Sequence, residues 1–288
     1  AKRTGRNTFA CFNDTFATTG VARLNLEADL RRALKEGGLS LHYQPKVDAR
    51  TGVTEGAEAL LRWRHPQIGM VPPTEFIPIA EESGLVLPLG EWVIREVCEQ
   101  MAAWTRDGLQ TVPVSVNVSV HQLYDDELIA KICRQLDAAG LTPRELEFEI
   151  TESVLMEDTG VAEARLRELR AMGARVSMDD FGTGYSSLSY LKRLPIDVVK
   201  IDRAFVRDIL SDADDQAILA AIITMAHQLR LQIVAEGVES EAQSQLLRRM
   251  DCDLIQGYVI TRPLPAEQYA ARFLNKRRHL VSQGPGSN

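Results

Sequence analysis

Apolar and polar positions follow two rhythms along this chain. Short runs rich in Val, Ile, Leu and Phe predict strands at residues 39–47, 55–63, 113–118, 146–151, 175–179, 198–201, 232–235 and 253–256. Between most of them lie amphipathic stretches with apolar residues at helical spacing. One covers residues 89–104, with Val93, Val97, Met101 and Trp104 on one face, and others cover 161–172 and 215–229. A further helix is predicted over 24–35, with a cap at or near Asn25 and an end at Gly37-Gly38. This alternation predicts βα units and a mostly parallel sheet. Eight strands in about 220 residues fit an α/β fold of the (β/α)8 TIM-like barrel type better than an open doubly wound sheet. The first two strands are joined by Asp48-Ala49-Arg50-Thr51-Gly52 with no helix between them, so one barrel strand is expected to run antiparallel.

Composition narrows the class. The chain has 288 residues, 33 Lys plus Arg against 40 Asp plus Glu, and a net charge of −7. With 45% hydrophobic residues this is ordinary globular composition. The negative balance argues against coating a nucleic-acid polymer, which wants a basic face. Cys11, Cys98, Cys133 and Cys252 are scattered without a CxxC pair, which reads as reduced thiols rather than a disulfide frame or zinc knuckle. The longest uncharged apolar run, residues 218–226, is far short of the ~20 residues a membrane span needs. The basic N-terminus, residues 1–6, has no apolar segment behind it and is not a signal peptide. These features point to a cytoplasmic fragment without membrane contact. Residues 1–20 are polar and read as a strand remnant and linker, and 281–288 as a loose tail.

The candidate chemistry lies at the strand ends. Glu58 is in the second strand, and Asn117 follows Val114-Ser115-Val116. Glu149 follows Leu146-Glu147-Phe148, with Glu152 three residues later. Asp179 and Asp180 end the fifth strand, Lys200 sits in the sixth, Glu236 follows the seventh and Gln256 follows Leu254-Ile255. The C-terminal strand ends of a barrel converge on one mouth, where catalytic groups sit. A single acid at such a place is usually a helix cap or a solvated loop residue. Six polar groups ending apolar strands are harder to explain that way. Carboxylates packed closely must take up protons or be neutralised by cations. An all-oxygen set with an amide and no histidine suits Mg²⁺ or Mn²⁺, and adjacent Asp179-Asp180 can serve two ions, the arrangement used for in-line attack at phosphorus. Asp180-Phe181-Gly182-Thr183-Gly184-Tyr185 resembles a phosphate loop, yet it lacks the third glycine and the GK[ST] of nucleotide cradles. The signal for a cradle is weak, and the stretch reads better as a tight βα turn with glycines for positive φ.

Gly56-Ala57-Glu58-Ala59-Leu60-Leu61-Arg62-Trp63 resembles the signature of the EAL domain, the cyclic di-GMP phosphodiesterases. The other motifs follow in order: Tyr43-Gln44-Pro45, Phe76-Ile77-Pro78-Ile79-Ala80-Glu81, Asn117-Val118-Ser119 and Glu149-Ile150-Thr151-Glu152. Then come Asp179-Asp180-Phe181-Gly182-Thr183-Gly184, Val199-Lys200-Ile201-Asp202, Ala235-Glu236-Gly237-Val238-Glu239 and Gln256-Gly257-Tyr258. The likeness covers about residues 22–275; Ile150, where leucine is usual, is its one mild departure. The N-terminal residues 1–7 resemble the end of a GGDEF (diguanylate cyclase-like) domain. The resemblance thus implies a domain remnant and linker at 1–20, an EAL domain at 21–280 and a tail at 281–288, cut from a tandem protein.

The resemblance also implies roles. Glu58, Asn117, Glu149 and Asp179 would hold one divalent cation. Asp179, Asp180 and Glu236 would hold a second, with Mg²⁺ or Mn²⁺ active and Ca²⁺ inhibitory. Lys200, with Glu236 and Glu58, would serve catalysis, Lys200 by orienting the attacking water. Gln44, Leu60, Arg62, Asp202 and Gln256 would contact the dinucleotide, with the forked guanidinium of Arg62 suited to phosphate. Glu152 would hold the loop over 180–187, which in the family lies near a homodimer interface. The implied reaction is hydrolysis of cyclic di-GMP to linear pGpG. Two rivals stand beside it: a silent cyclic di-GMP receptor, and a barrel lyase or isomerase using one Mg²⁺ on a carboxylate substrate.

Overall fold

The computed structural model describes residues 14–152, 159–182 and 191–275. The expectations for residues 1–13, for most of the 180–187 loop and for the 281–288 tail lie outside them. Within the described residues the chain forms two compact units, one of residues 14–40 and 62–89, the other of 41–61 and 90–275.

The smaller unit begins with helix α1 (Asp14–Glu36). Residues 14–20 are therefore helical, and the helix begins ten residues before the start that the hydrophobic pattern predicts. One glycine, Gly20, costs about 1 kcal/mol in a helix interior, which a 23-residue helix absorbs. Gly37, at a φ of 101°, ends the helix in backbone that other residues resist. The end of strand β2 (Thr54–His65) pairs with the short β3 (Gly69–Val71), and α2 (Pro73–Glu82) follows. Trp63 and Phe76 meet edge to face at 5.5 Å, and Leu30, Val71 and Ile79 of the same unit are buried.

The larger unit holds a closed barrel. Its strands are β1 (Leu39–Asp48), β2, β4 (Val114–Asn117), β5 (Leu146–Thr151), β6 (Arg175–Phe181), β7 (Val198–Ile201), β8 (Gln232–Ala235) and β9 (Leu254–Ile255). They neighbour one another in the order β1-β9-β8-β7-β6-β5-β4-β2, and β2 returns to β1. All pairs from β2 round to β9 are parallel, whereas β1 runs antiparallel to β9, with Val47 opposite Ile255. A two-residue strand, β10 (Leu264–Pro265), adds to β1; neither it nor β3 was legible in the hydrophobic pattern. Helices α3 (Val86–Arg106), α4 (Val120–Leu123), α5 (Leu128–Ala139), α6 (Thr159–Met172), α7 (Arg203–Arg207), α8 (Ala213–Gln228), α9 (Glu241–Arg249) and α10 (Ala266–Phe273), with a 3-10 turn at Pro143–Glu145, complete the described elements.

Period-two alternation sorts each strand into two faces. Val116, Phe148, Ile150, Val176, Val199, Ile201 and Ile233 belong to one apolar core with Val97, Met101, Ile132, Leu166 and Ile223 of the helices. The alternate residues Ser115, Glu147, Glu149, Ser177, Asp179 and Lys200 are also buried, though polar. A separate apolar trio, Val198, Val234 and Leu254, comes from three neighbouring strands. TIM-barrel interiors are usually packed with branched aliphatic side chains. Here charge takes much of that space.

Candidate active site

Four carboxylates meet one ammonium at the C-terminal strand ends. Lys200 Nζ lies 2.6 Å from Glu149 and 2.6 Å from Glu236, 3.2 Å from Asp179 and 3.6 Å from Glu58. The strands supply these groups by register. Glu58 on β2 lies opposite Ser115, Asn117 opposite Glu149, and Thr151 opposite Asp179. Glu236 follows β8, its backbone N–H donating to the Ile201 carbonyl at 3.1 Å.

A fringe of amides fixes the carboxylates. Asn117 Nδ2 donates to Glu58 Oε1 at 3.0 Å, and Gln256 Nε2 donates to Glu58 Oε2 at 2.6 Å. Gln256 Nε2 also reaches Gln44 Oε1 at 3.2 Å, and Gln44 Nε2 donates to the Thr261 carbonyl at 3.0 Å. The next residue, Gly257, explains why Gln256 can sit there. A Cβ at that position would lie 2.1 Å from the Val238 carbonyl oxygen, so only glycine permits the approach. The two chain segments then exchange hydrogen bonds, Val238 N–H to Gln256 O and Val259 N–H to Val238 O.

Asp179 and Asp180 lie at an irregularity in β6, whose pairing with β7 shifts between Met178 and Phe181. Asp180 takes a φ of 55°, uncommon for a residue with a Cβ, and its N–H donates to Asp179 Oδ1 at 2.9 Å. Glu152 Oε2 accepts from the Gly182 N–H at 3.0 Å and so ties the end of β5 to the turn after β6. Asp202 Oδ1 accepts from Ala204 N–H and caps α7. Leu60 is half-buried on β2. Arg62, also half-buried, belongs to the run of β2 in the smaller unit.

Two residues that strand ends alone do not reveal complete the network. Lys46, buried on β1, donates to Glu147 Oε1 and Glu149 Oε1, both at 2.7 Å. Each oxygen of Glu149 therefore faces a different lysine. The signal was present as spacing: Gln44 and Lys46 are two apart on β1, as are Glu147 and Glu149 on β5, so each pair shares a face.

The charges act strongly on one another because water is excluded. Burial opposes ionisation of Lys200, but Glu149, Glu236, Glu58 and Asp179 outweigh it and hold the ammonium well above its usual range. Glu149 would likewise be raised by burial, yet Lys200 and Lys46 hold it well below the usual carboxylate range. Burial pushes Glu236 up to about 8, with Asp179, Glu58 and Glu149 adding to the effect against Lys200. Glu58 is raised by burial and by Glu149, and Asp180 by burial and Asp179. Lys200 and Lys46 together do not balance the acids of this rim. Gln256 Oε1 is, moreover, a buried acceptor with no partner among the described residues. Crowded oxygens short of positive charge fit hard divalent cations.

Comparison with known proteins points the same way. The EAL domain model matches residues 27–263. The bifunctional diguanylate cyclase/cyclic di-GMP phosphodiesterase MucR of Pseudomonas aeruginosa is 46% identical over 271 residues, covering 94% of this chain and 40% of MucR. The cyclic di-GMP phosphodiesterase PdeR of Escherichia coli is 40% identical over 279 residues, covering 96% of this chain and 42% of PdeR. The chain thus spans less than half the length of these relatives. A solved structure described as the PaMucR phosphodiesterase in complex with c-di-GMP superposes with a TM-score of 0.81 at 48% identity, covering 85% of this chain and 99% of that one.

Proposed function

This chain belongs to the EAL domain family, and we propose that it is a metal-dependent phosphodiesterase that hydrolyses cyclic di-GMP to linear pGpG. The observation that carries this reading is the convergence of Glu58, Glu149, Asp179 and Glu236 on Lys200 at one barrel rim. Relatives named as cyclic di-GMP phosphodiesterases support the substrate.

Glu58, Asn117, Glu149 and Asp179 would hold one divalent cation, and Asp179, Asp180 and Glu236 a second. Mg²⁺ or Mn²⁺ bound there would supply the positive charge that eases deprotonation of water and offsets charge on the phosphate. Lys200 orients the attacking water by donating from a hub whose carboxylates keep it charged. Its position is fixed by two partners at 2.6 Å, so little reorganisation accompanies the reaction. Glu58 is immobilised by both Asn117 and Gln256. Gln44 and Gln256 form an amide pair suited to a nucleotide's polar edge, and Leu60 and Asp202 complete the proposed contacts. Glu152 braces the turn at Gly182. The same reading carries a cytoplasmic homodimer, testable by light scattering, and inhibition by Ca²⁺.

The test is chromatography of products after incubating the chain with cyclic di-GMP and Mg²⁺ or Mn²⁺, repeated with a chelator. Linear pGpG that disappears with chelation is the expected result. Bound but intact cyclic di-GMP would make the chain a receptor, and no binding at all would sink both readings.

A further inference from the structure

The ammonium of Lys46 has no part in the roles assigned so far, although it lies in the same charge network. It sits on β1, the strand that runs antiparallel to β9, and is 3% exposed. Its two partners, Glu147 and Glu149, are on one face of β5, and both contacts are 2.7 Å. Glu147 is also 3.7 Å from Arg175 Nε on β6. Glu149 is 1% exposed, and among the described residues its side-chain donors are Lys46 on Oε1 and Lys200 on Oε2. A buried carboxylate on a single flexible stem would otherwise turn about its last bond. Two lysines on opposite oxygens remove that freedom.

We propose that Lys46 is a positioning residue for the phosphodiester reaction: it clamps Glu149 by Oε1 so that Oε2 stays aimed at the Lys200 hub, with Glu147 as its counter-charge. This rests on the phosphodiesterase reading above. Groups that hold a ligating carboxylate from behind typically govern metal affinity or activity by 10–100-fold. Lys46 acts through Glu149 and does not itself meet the substrate. The cost of burying its charge is offset by Glu147, which explains why two acids two residues apart on β5 share one lysine.

The experiment separates clamp from charge. Lys46→Met alone removes a cation and would tighten binding of Mn²⁺ if Lys46 were only a charge. Lys46→Met with Glu147→Gln leaves the net charge unchanged, and no unpaired ammonium remains. The double variant is compared with wild type and with Glu147→Gln alone. Three readouts are taken: calorimetric titration with Mn²⁺ alone, thermal unfolding without metal, and kcat and KM for cyclic di-GMP. The expected result for the double variant is roughly 10–100-fold weaker Mn²⁺ binding and a similar fall in kcat. KM should move by less than about threefold, since the clamp spares the substrate contacts. Glu147→Gln alone should lose clearly less than the double variant, because Lys46 still holds Glu149. Wild-type Mn²⁺ affinity and kcat in the double variant would overturn the proposal, and so would an equal loss in Glu147→Gln alone. If the double variant does not fold, Lys46→Met with Glu147→Met, an apolar pair of the same net charge, is judged by the same criteria. Absence of pGpG from wild type would instead remove the phosphodiesterase reading, while the Mn²⁺ titration would still decide whether Lys46 holds Glu149.

Discussion

The two faces of the barrel strands obey opposite rules. Outward, Val116, Phe148, Val176, Val199 and Ile233 pack against helices in one apolar layer, where any residue of similar volume would serve. Inward, Lys46, Glu58, Glu149, Asp179 and Lys200 are buried too, yet each needs particular charged partners close by. The outer face gains free energy by leaving water, without direction. The inner face gives up hydration and recovers it only through matched charges. The difference teaches where this fold spends stability on chemistry. The outer layer holds the strands in register so that the inner groups, unfavourable one by one, are forced together.

That contrast can be broken from either side. Lys200→Met attacks the inner face at its hub. Turnover should fall by roughly 10²–10⁴-fold, and the metal-free protein should lose about 3–5 kcal/mol, because Glu236 and Glu149 lose their shared partner. Product release and chemical denaturation would measure the two effects. Asp179→Asn, Glu149→Gln and Glu236→Gln should each cut turnover by orders of magnitude; wild-type-like turnover in any of them would remove that residue from the site. Phe148→Ala tests the outer face next to Glu149. It should cost about 3–5 kcal/mol in denaturant melts while turnover per folded molecule changes far less. An equal loss of turnover would show that the two faces are not separable.

Smaller effects lie outside the strands. Ser240 and Gln243 form a capping box at the start of α9, so Ser240→Ala should cost about 1 kcal/mol with turnover unchanged. Asp125 gives the smallest effect. Its carboxyl is lowered by the hydrogen bond from Lys131, with the Glu127 N–H helping. A carboxyl lowered in the folded state stabilises it above the unfolded pKa, and that contribution is lost as pH falls through the folded value. Asp125→Asn should therefore flatten the acid limb of stability against pH, and an unchanged limb would count the pair as negligible.

Strands at 146–151, 198–201 and 232–235 have the bounds that the hydrophobic pattern predicts. The antiparallel first strand was legible in the missing helix after Asp48. Local pattern missed the start of α1, whose polar first turns carry no apolar stripe, and missed β3 and β10, too short for a period. Candidate acids were legible as polar groups ending apolar runs. Lys46 and Glu147 lie mid-strand; their spacing from Gln44 and Glu149 gives a shared face, but not the pairing across strands.

Alternation along each strand was enough to specify a βα barrel with polar groups at one rim, because burial on two faces imposes a period of two. Only the closed barrel decided that Lys46, 101 positions before Glu147 and 103 before Glu149, would share their charges. Nor does any local pattern dictate that one ammonium from β7 stands among acids from β2, β5, β6 and the end of β8. Period is a property of neighbours in the chain, whereas electrostatic partnership depends on distance across space, and that distance exists only once the strands have closed.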